Sequence, residues 1–340
     1  MKSIFVLHEY GAPSHFTALV SLASQNGYKV RFGEFGIKRQ IRFTRRRLLH
    51  NILFLLRLKF SSHEKVVLAI APFNSELLKL MNLLKNHEVY YFTSYTCWDG
   101  SRYVYPPQSN NIRLKWNEFL DKYVKHVFVV SNKTKNEMIK NNITNQKRIS
   151  IVNHSYKIKI APPTKKRKTN SFIVVGELAS RKGTLELIRI FSSLMNAEVS
   201  FVGRGVYQDA IIDASNQNKN IHYYGFVNGL NNIIKYYEEN CFLILNSHRE
   251  NGWEEFFGLA LIEGMACGCV PIATDHSGPK EIITNGLDGL IYKEGSIIDG
   301  IKRCVEMGNE EYLEMRRNAI RTGALYYCEK KAANWSQILK

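Results

Sequence analysis

Apolar residues in the first half of the chain alternate between short continuous runs and helical spacing. The run KSIFVL is followed by HFTALVSLASQNG, whose apolar residues recur at helical intervals, and then by KVRFGEF. Further apolar runs at 66–71, 89–92 and 126–131 are separated by amphipathic stretches such as RLKWNEFLDKYVK. Strands that alternate with helices at this rhythm predict a doubly wound parallel sheet.

The second half of the chain repeats the same rhythm. SFIVVGEL, AEVSFVGRG, CFLILNS and VPIATD are typical of strands, whereas GTLELIRIFSSLM, NGLNNIIKYYEEN and LALIEGMACG have helical spacing. Between the halves, KIKIAPPTKKRKT combines two prolines with a basic run, which favours a linker. We therefore predict an N-terminal Rossmann-like domain over 1–160, a linker over 161–170, and a C-terminal Rossmann-like domain over 171–322. A C-terminal helix over 323–340 would follow, with the option of packing back on the N-terminal domain.

Length and composition favour a soluble α/β protein. A chain of 340 residues can form two domains with apolar cores. No run approaches the roughly 18 apolar residues of a spanning helix, and the N-terminal apolar run is too short for a signal peptide, so we expect a cytoplasmic protein. The six cysteines lack the paired spacings of a zinc site or a disulfide framework, and Cys267 and Cys269 have no further ligands beside them. We expect reduced cysteines and no metal.

The net charge of +17 is confined to one half of the chain. Residues 1–162 contain 26 Lys and Arg against 9 Asp and Glu, whereas residues 163–340 contain 21 of each. This asymmetry indicates an anionic partner for the first half, such as a membrane surface, a nucleic acid or an acidic acceptor.

The most basic stretch is 38–60, KRQIRFTRRRLLHNILFLLRLKF. It contains eight cations, and no acidic residue lies between Glu34 and Glu64. On a helix, the leucines and isoleucine of 48–56 would cover an arc of roughly 160°. Two interpretations remain open here: a helix that docks on an anionic membrane surface, and an ordinary helix that buries its apolar face against the sheet.

Residues 247–290 carry the densest chemistry in the chain. The pattern predicts a strand, a loop that ends at Glu255, and a helix that starts near Gly258. The amides of Phe257, Gly258 and Leu259 would form an anion seat, because helix N-termini present unpaired N–H groups. The carboxylates of Glu255 and Glu263 suit sugar and ribose hydroxyls, from which they accept hydrogen bonds.

The spacing Glu255-x7-Glu263 within EFFGLALIE, followed by GMACG, Pro271, SGPKEII, NG and GL, resembles the donor-binding signature of the family-four retaining glycosyltransferases of GT-B fold (glycosyl transferases group 1). The order of the surrounding glycines makes this pattern specific. The match extends upstream through FIVVGELASRKG, FVGRG and YYGFV, and to VFVVSNKTKNEM and ISIVNHSY. It covers about 124–292 and is thin before that.

The resemblance implies a donor site in the C-terminal half. Glu263 would bind the donor ribose, Glu255 the transferred sugar, and the amides near Gly258 the sugar or the diphosphate. It implies a retaining transfer from a nucleotide diphosphate sugar to a lipid-linked or saccharide acceptor, in bacterial surface polysaccharide or glycolipid synthesis. The family uses basic residues and helix amides in place of a metal ion, so no metal and no cofactor is expected.

The phosphate side of the implied site departs from the family pattern. Lys182 would neutralise the diphosphate, which gains negative charge as the glycosidic bond breaks. The family has an arginine after the first glycine of this loop, where the chain has Glu177, and Arg181 is the candidate to replace it. Gly203 and Gly205 match the family's Gly-x-Gly turn, although a tight turn alone would also explain them.

The N-terminal half offers weaker candidates. The family often has a histidine after its fourth strand, but this chain has YYFTSYTCWDG. Asp99 is taken as the catalytic candidate there, beside Glu255 and Lys182, and Gly11 as a donor-loop glycine. Tyr95 and His15 are further polar candidates, and structural roles for all of these residues stay open. The mechanism that the resemblance implies, in which the donor phosphate deprotonates the acceptor, does not require a protein base.

Two other classes compete with this interpretation. A basic nucleic-acid-binding protein, or a DNA-modifying sugar transferase, would also explain the charge, but no recognised nucleic-acid motif is present and we expect no nucleic-acid partner. A dinucleotide oxidoreductase lacks the required GxGxxG after the first strand. We therefore expect a cytoplasmic enzyme that is peripherally associated with the inner face of the cell membrane.

Overall fold

The structure is a computed structural model that describes residues 2–9, 13–35, 45–99, 110–144, 148–161, 167–250 and 252–340. The chain divides into two compact units. One consists of Met1–Ser155 together with Cys328–Lys340, and the other of Tyr156–Tyr327. Each unit is built on a six-stranded sheet with parallel strand pairs and helical connections. The prediction of an α/β fold with two Rossmann-like units is confirmed.

The N-terminal unit has the strand order β2-β1-β3-β4-β5-β6. Its central strands are buried on both faces, which explains why they are continuous apolar runs in the sequence. The strands are β1 (Lys2–His8), β2 (Tyr28–Glu34), β3 (Lys65–Ala69), β4 (Glu88–Thr93), β5 (Val124–Val129) and β6 (Ile149–Ile151). The helices are α1 (Thr17–Gln25), α2 (Arg45–Phe60), α3 (Leu77–Leu84), α4 (Asn110–Lys122) and α5 (Asn132–Lys140).

The last residues of the chain complete the core of this unit. Instead of one helix over 323–340, the structure has a short helix at Cys328–Ala332 and a 3-10 helix at Ala333–Leu339. The ring of Trp335 lies 4.5 Å from that of Phe128 and 5.7 Å from that of Phe92. Since Trp335 is almost fully buried, the terminal segment is an integral part of the unit.

Helix α2 turns its apolar arc away from the sheet. Its buried residues are Asn51, Phe54 and Leu58, whereas Leu49 and Leu53 are both 57% exposed. The Asn51 side-chain oxygen accepts a hydrogen bond of 3.1 Å from the backbone N–H of Glu34, which fixes this orientation. Of the two interpretations left open, burial against the sheet does not hold for Leu49 and Leu53, although Phe54 and Leu58 do lie in the core; docking on a membrane stays a prediction. Among the helices of the described ranges, none is long and apolar enough to cross a membrane.

The C-terminal unit has the strand order β12-β11-β10-β7-β8-β9. The strands are β7 (Ser171–Glu177), β8 (Glu198–Arg204), β9 (Ile221–Tyr223), β10 (Phe242–Leu245), β11 (Val270–Thr274) and β12 (Leu290–Tyr292). The helices are α6 (Thr184–Ser193), α7 (Gln208–Gln217), α8 (Leu230–Glu239), α9 (Leu259–Ala266), α10 (Ser277–Ile282), α11 (Ile297–Val305) and α12 (Asn309–Ala324). In a parallel sheet the carboxyl ends of β7, β8, β10 and β11 meet at one edge, where ligands bind in open α/β sheets.

Arg167 belongs to the C-terminal unit, although it lies in the segment predicted as a linker. This unit begins at Tyr156, and the guanidinium of Arg167 is buried inside it. It donates to the carbonyl oxygens of Asn240, Cys267 and Gly268, so it satisfies the C-terminal ends of helices α8 and α9. The basic composition of 161–170 indicated a segment exposed to solvent. The guanidinium of Arg167 is nevertheless buried, because the carbonyl oxygens at the ends of two helices need hydrogen-bond donors.

The substitution Arg167→Met tests this role. We expect it to lower the free energy of unfolding by about 3 kcal/mol, because three buried carbonyl oxygens lose their donor. Lys168→Met removes only an exposed ion pair with Glu198 and should cost less than about 0.5 kcal/mol. Urea unfolding of both variants provides the measurement, and equal losses would contradict the assigned role.

Candidate functional site

A buried ion pair joins the two loops at the carboxyl edge of the C-terminal sheet. Lys182 ends the 3-10 turn Ser180–Lys182 that follows β7, and Glu255 precedes α9. The ammonium group of Lys182 pairs with a carboxylate oxygen of Glu255. Their side chains are only 19% and 13% exposed. The two residues that the sequence predicted for the reacting centre of this unit are therefore in direct contact.

Two residues that sequence reasoning missed hold Glu255 in place. The hydroxyl of Ser247, at the end of β10, donates to the carboxylate over 3.0 Å. The backbone N–H of Glu255 donates over 2.9 Å to Nδ1 of His276, and Nε2 of His276 lies 2.8 Å from the carbonyl oxygen of Ser247. Since Nδ1 accepts a hydrogen bond, the neutral ring carries its proton on Nε2. Burial, with a contribution from Arg249, lowers the pKa of His276 and favours this neutral form.

The N-terminus of α9 lies next to Glu255. Gly258 occupies the N-cap position with φ of 98°, which favours glycine, and in the described part of the chain no side chain caps the helix there. The first amides of the helix, beginning with Leu259, therefore have no partner within the helix and no capping side chain. The Phe257 side chain is buried against Tyr326, so only its backbone could face a ligand. A Cβ on Gly278 would lie 2.3 Å from the Phe257 nitrogen, so glycine is required at this close approach.

Glu263 lies within α9, on the side that faces α8. Its carboxylate accepts a hydrogen bond of 3.3 Å from the hydroxyl of Tyr237. Burial raises the pKa of Glu263 to about 7, and the Tyr237 hydroxyl offsets part of this shift. Ile233, one helical turn before Tyr237, lines the cavity described next, whereas Glu263 itself does not line it.

A cavity of about 760 Å³ opens at the carboxyl ends of β7 and β8. Gly203 and Gly205 both line it, and a Cβ on Gly203 would lie 1.8 Å from the carbonyl oxygen of Gly176. Gly203 and Gly205 are therefore packed against the end of β7 and the turn that follows it. The Arg204 guanidinium lies 4.4 Å from the ring centroid of Phe226, which is 57% exposed at the cavity rim. A flat aromatic group could stack there.

Arg181 and Lys182 pair with different carboxylates. The Arg181 guanidinium pairs with Glu177, the residue that stands where the resembled family has arginine. It also lies 5.0 Å from the ring centroid of Trp253, and the Lys182 ammonium lies 4.8 Å from the same centroid. Trp253 lies in the loop that precedes α9. Its cationic neighbours could not be inferred from spacing, because 71 residues separate Lys182 from Trp253.

The N-terminal candidates lie in the other unit. Asp99 lies in the N-terminal unit, where it is exposed and accepts a hydrogen bond of 3.3 Å from the Cys97 thiol. His15 packs against His154 with ring centroids 4.2 Å apart, and burial lowers its pKa to about 4. Gly11 lies outside the described residues. A role for Asp99 stays a prediction.

Comparison with known proteins identifies relatives of the C-terminal unit. Residues 156–323 match the family model described as glycosyl transferases group 1. A Campylobacter jejuni protein, N-acetylgalactosamine-N,N'-diacetylbacillosaminyl-diphospho-undecaprenol 4-alpha-N-acetylgalactosaminyltransferase, is 29% identical over 174 residues. The match covers 49% of this chain and 45% of that relative, so the chain spans less than half of the relative's length.

Solved structures extend the likeness to the whole fold. HepE from Anabaena, in complex with UDP, has a TM-score of 0.70 at 14% identity, with 100% of this chain and 99% of that chain covered. The lipopolysaccharide outer core galactosyltransferase WaaB in its apo form has a TM-score of 0.65 at 17% identity, with the same coverage. At such identities the likeness shows the fold, which is that of GT-B enzymes.

The raised pKa of Glu263 predicts a pH-dependent effect of Glu263→Gln. The unfolded chain ionises near pH 4.5, below the folded value of about 7, so wild-type protein loses stability as the pH rises through this window. We expect the variant to be more stable than wild type by about 3 kcal/mol at pH 8 and equal to it at pH 4. Urea unfolding at both pH values measures the difference. Glu239→Gln, at an exposed position of α8, should show no such dependence, and a variant that follows wild type would contradict the assignment.

Proposed function

Since the chain belongs to the group 1 glycosyltransferases of GT-B fold, we propose that it transfers a sugar from a nucleotide diphosphate sugar to a lipid-linked or saccharide acceptor, with retention at the anomeric carbon. The observation that carries this proposal is the Lys182–Glu255 ion pair beside the uncapped N-terminus of α9. A cation, a carboxylate and helix amides in one place suit a ligand that combines a diphosphate with sugar hydroxyls.

Each part of the donor has a candidate partner in this unit. The base enters the cavity beside Phe226, and the ribose hydroxyls donate to the carboxylate of Glu263. The diphosphate binds to Lys182 and to the first amides of α9, while Glu255 accepts hydrogen bonds from the transferred sugar. UDP is the first nucleotide to test, because HepE was solved with it bound.

Catalysis in this proposal depends on stabilising the leaving group. The nucleotide diphosphate gains negative charge as the glycosidic bond breaks, and a fixed cation lowers the energy of that state. The acceptor attacks on the face that the leaving group occupied, and the donor phosphate takes its proton. The sugar therefore keeps its anomeric configuration. Asp99 of the N-terminal unit is retained as a residue for the acceptor side.

Two substitutions and their matched controls test the site assignment. We expect Lys182→Ala to abolish measurable transfer and to weaken UDP binding at least tenfold, since the diphosphate loses its main cation. Glu263→Ala should weaken binding of UDP through the ribose. Lys168→Ala, which removes an exposed lysine of the same unit, should leave both unchanged. Isothermal titration and a donor-turnover assay provide the measurements, and unchanged activity in both site variants would refute the assignment.

The same titration tests the proposed absence of a metal requirement. We expect UDP affinity to be the same in excess chelator as in magnesium, because Lys182 and the helix amides take the place of a cation. Strict dependence on a divalent ion would contradict this part of the proposal. It would leave the residue assignments to be judged by the variants alone.

The acceptor and the place of action follow from less direct support. The Campylobacter relative is named for transfer to an undecaprenol-linked acceptor, and WaaB for lipopolysaccharide synthesis. We therefore propose a role in bacterial surface polysaccharide or glycolipid synthesis. Such an acceptor is met at the inner face of the cell membrane, so the enzyme would act there as a peripheral protein.

Helix α2 has the chemistry for that contact. Leu49, Leu53, Leu56 and Phe60 follow one another at i, i+4, i+7 and i+11, on one outward face of the helix. Phe60 is 81% exposed. Contiguous exposed apolar groups mark interaction surfaces on soluble proteins. We call this face the α2 stripe.

Basic residues flank the α2 stripe at both ends of the helix. Arg45 and Arg46 begin it, and Arg57 and Lys59 lie in its last turn. A helix with an outward apolar face and cationic flanks suits the interface of an anionic bilayer, where each Lys or Arg contributes about 1 kcal/mol. The further cations of 38–44 lie outside the described residues. Buried Asn51 keeps the stripe outward before any lipid is met.

Liposome binding tests the stripe. We expect wild-type protein to sediment with vesicles that contain phosphatidylglycerol but not with pure phosphatidylcholine vesicles. The double variant Leu49→Ser/Leu53→Ser should lose most of this binding, because it removes inserted apolar groups without changing charge. The matched control is Leu114→Ser, at another exposed leucine of the same unit, which should bind like wild type. Equal recovery in the supernatant with both lipids would refute membrane docking and leave a soluble acceptor.

A further inference from the structure

The turn that follows β7 carries two cations, Arg181 and Lys182, and both are paired with carboxylates of the protein itself. Arg181 pairs with Glu177 at the end of β7, and Lys182 pairs with Glu255 before α9. The Glu177–Arg181 pair is solvent-accessible, with side chains 47% and 40% exposed, whereas the Lys182–Glu255 pair is shielded. A bound diphosphate would have to take at least one of these cations away from its present partner.

Trp253 contacts both cations through the face of its ring. The distances to the ring centroid are 5.0 Å from the Arg181 guanidinium and 4.8 Å from the Lys182 ammonium. Trp253 and Glu250 exchange two backbone hydrogen bonds, with nitrogen-to-oxygen distances of 2.8 and 3.2 Å. These bonds anchor the tryptophan. A cation that lies over an aromatic face is attracted by the π-electrons of the ring. Its N–H groups that point away from the ring stay available to bind an anion.

We propose that donor binding proceeds by an exchange of partners, in which the diphosphate replaces Glu177 on Arg181 while Trp253 holds both cations in place. The proposal rests on the proposed function, because it assumes that this loop binds a nucleoside diphosphate. Trp253 is then a positioning residue that acts through Arg181 and Lys182. Glu177 is a competing internal anion, which lowers the affinity for the nucleotide and reclaims Arg181 when the product leaves.

The exposures of the two pairs indicate which one exchanges first. An exposed ion pair contributes little to stability, so the separation of Glu177 from Arg181 costs little. The Lys182–Glu255 pair is also held by Ser247 and by the backbone contact with His276. Arg181 is therefore the cation that changes its partner, and Lys182 is the one that keeps its carboxylate. This supplies the loop with a second phosphate-binding cation although the position after Gly176 carries a carboxylate.

Titration of UDP and uridine into a set of variants tests the exchange. We expect Glu177→Gln to tighten UDP binding about threefold to tenfold, because the competing charge is removed. The effect should vanish in an Arg181→Gln background, since Glu177 acts only through that arginine. Glu198→Gln removes the carboxylate of another exposed pair in the same unit and should leave UDP affinity unchanged.

The role of Trp253 is tested by its dependence on the phosphates. We expect Trp253→Leu to weaken UDP binding about tenfold, and Trp253→Phe to restore most of the loss, because phenylalanine keeps an aromatic face. Uridine, which lacks phosphates, should bind all three proteins equally in ligand-observed NMR. A merely structural role would weaken uridine and UDP alike.

The outcomes separate this inference from the proposed function. The partner exchange alone is overturned if wild-type protein binds UDP but Glu177→Gln does not raise the affinity for UDP. The same holds if Trp253→Leu weakens the binding of uridine as much as that of UDP. Wild-type protein that binds none of UDP, GDP and ADP would overturn the proposed function, and the exchange with it.

Discussion

The ion pair between Lys182 and Glu255 is the interaction on which the geometry at the carboxyl edge of the C-terminal sheet depends. It joins residues 73 positions apart, from the turn after β7 and from the segment before α9. Ser247, just after β10, donates to the carboxylate of Glu255, and His276, just after β11, accepts the backbone N–H of the same residue. Segments that follow three adjacent strands, β7, β10 and β11, are thereby joined around one ion pair. Such pre-organisation is what electrostatic stabilisation of a leaving anion requires.

The sequence was sufficient to predict the fold and the backbone of this site. Strand and helix runs of the C-terminal unit are strongly periodic, and the spacing from Glu255 to Glu263 with its glycines is specific. Glycine positions could be interpreted because close approaches, such as that of Gly278 to Phe257, forbid any side chain. These features follow from local chain geometry, which a pattern records.

Contacts between distant segments could not be predicted in this way. Nothing in the spacing indicates that His276 accepts the Glu255 amide, or that Trp253 covers two cations from the loop after β7. The orientation of α2 was hidden for a related reason. Its apolar arc was compatible both with burial and with an outward face, and only the structure shows that Asn51 points inward, where it accepts the Glu34 N–H, while Leu49 and Leu53 stay exposed. The composition of the predicted linker likewise gave no indication that Arg167 is buried and donates to three carbonyl oxygens.

The central claim is that the carboxyl edge of the C-terminal sheet binds a nucleoside diphosphate at Lys182. A crystal structure of the protein soaked with UDP is the most direct test. The account predicts diphosphate oxygens within hydrogen-bond distance of the Lys182 ammonium and of the amides that begin α9, with the ribose at Glu263 and the uracil beside Phe226. UDP bound elsewhere on the protein, with no phosphate oxygen near the Lys182 ammonium and the cavity beside Phe226 empty, would contradict it.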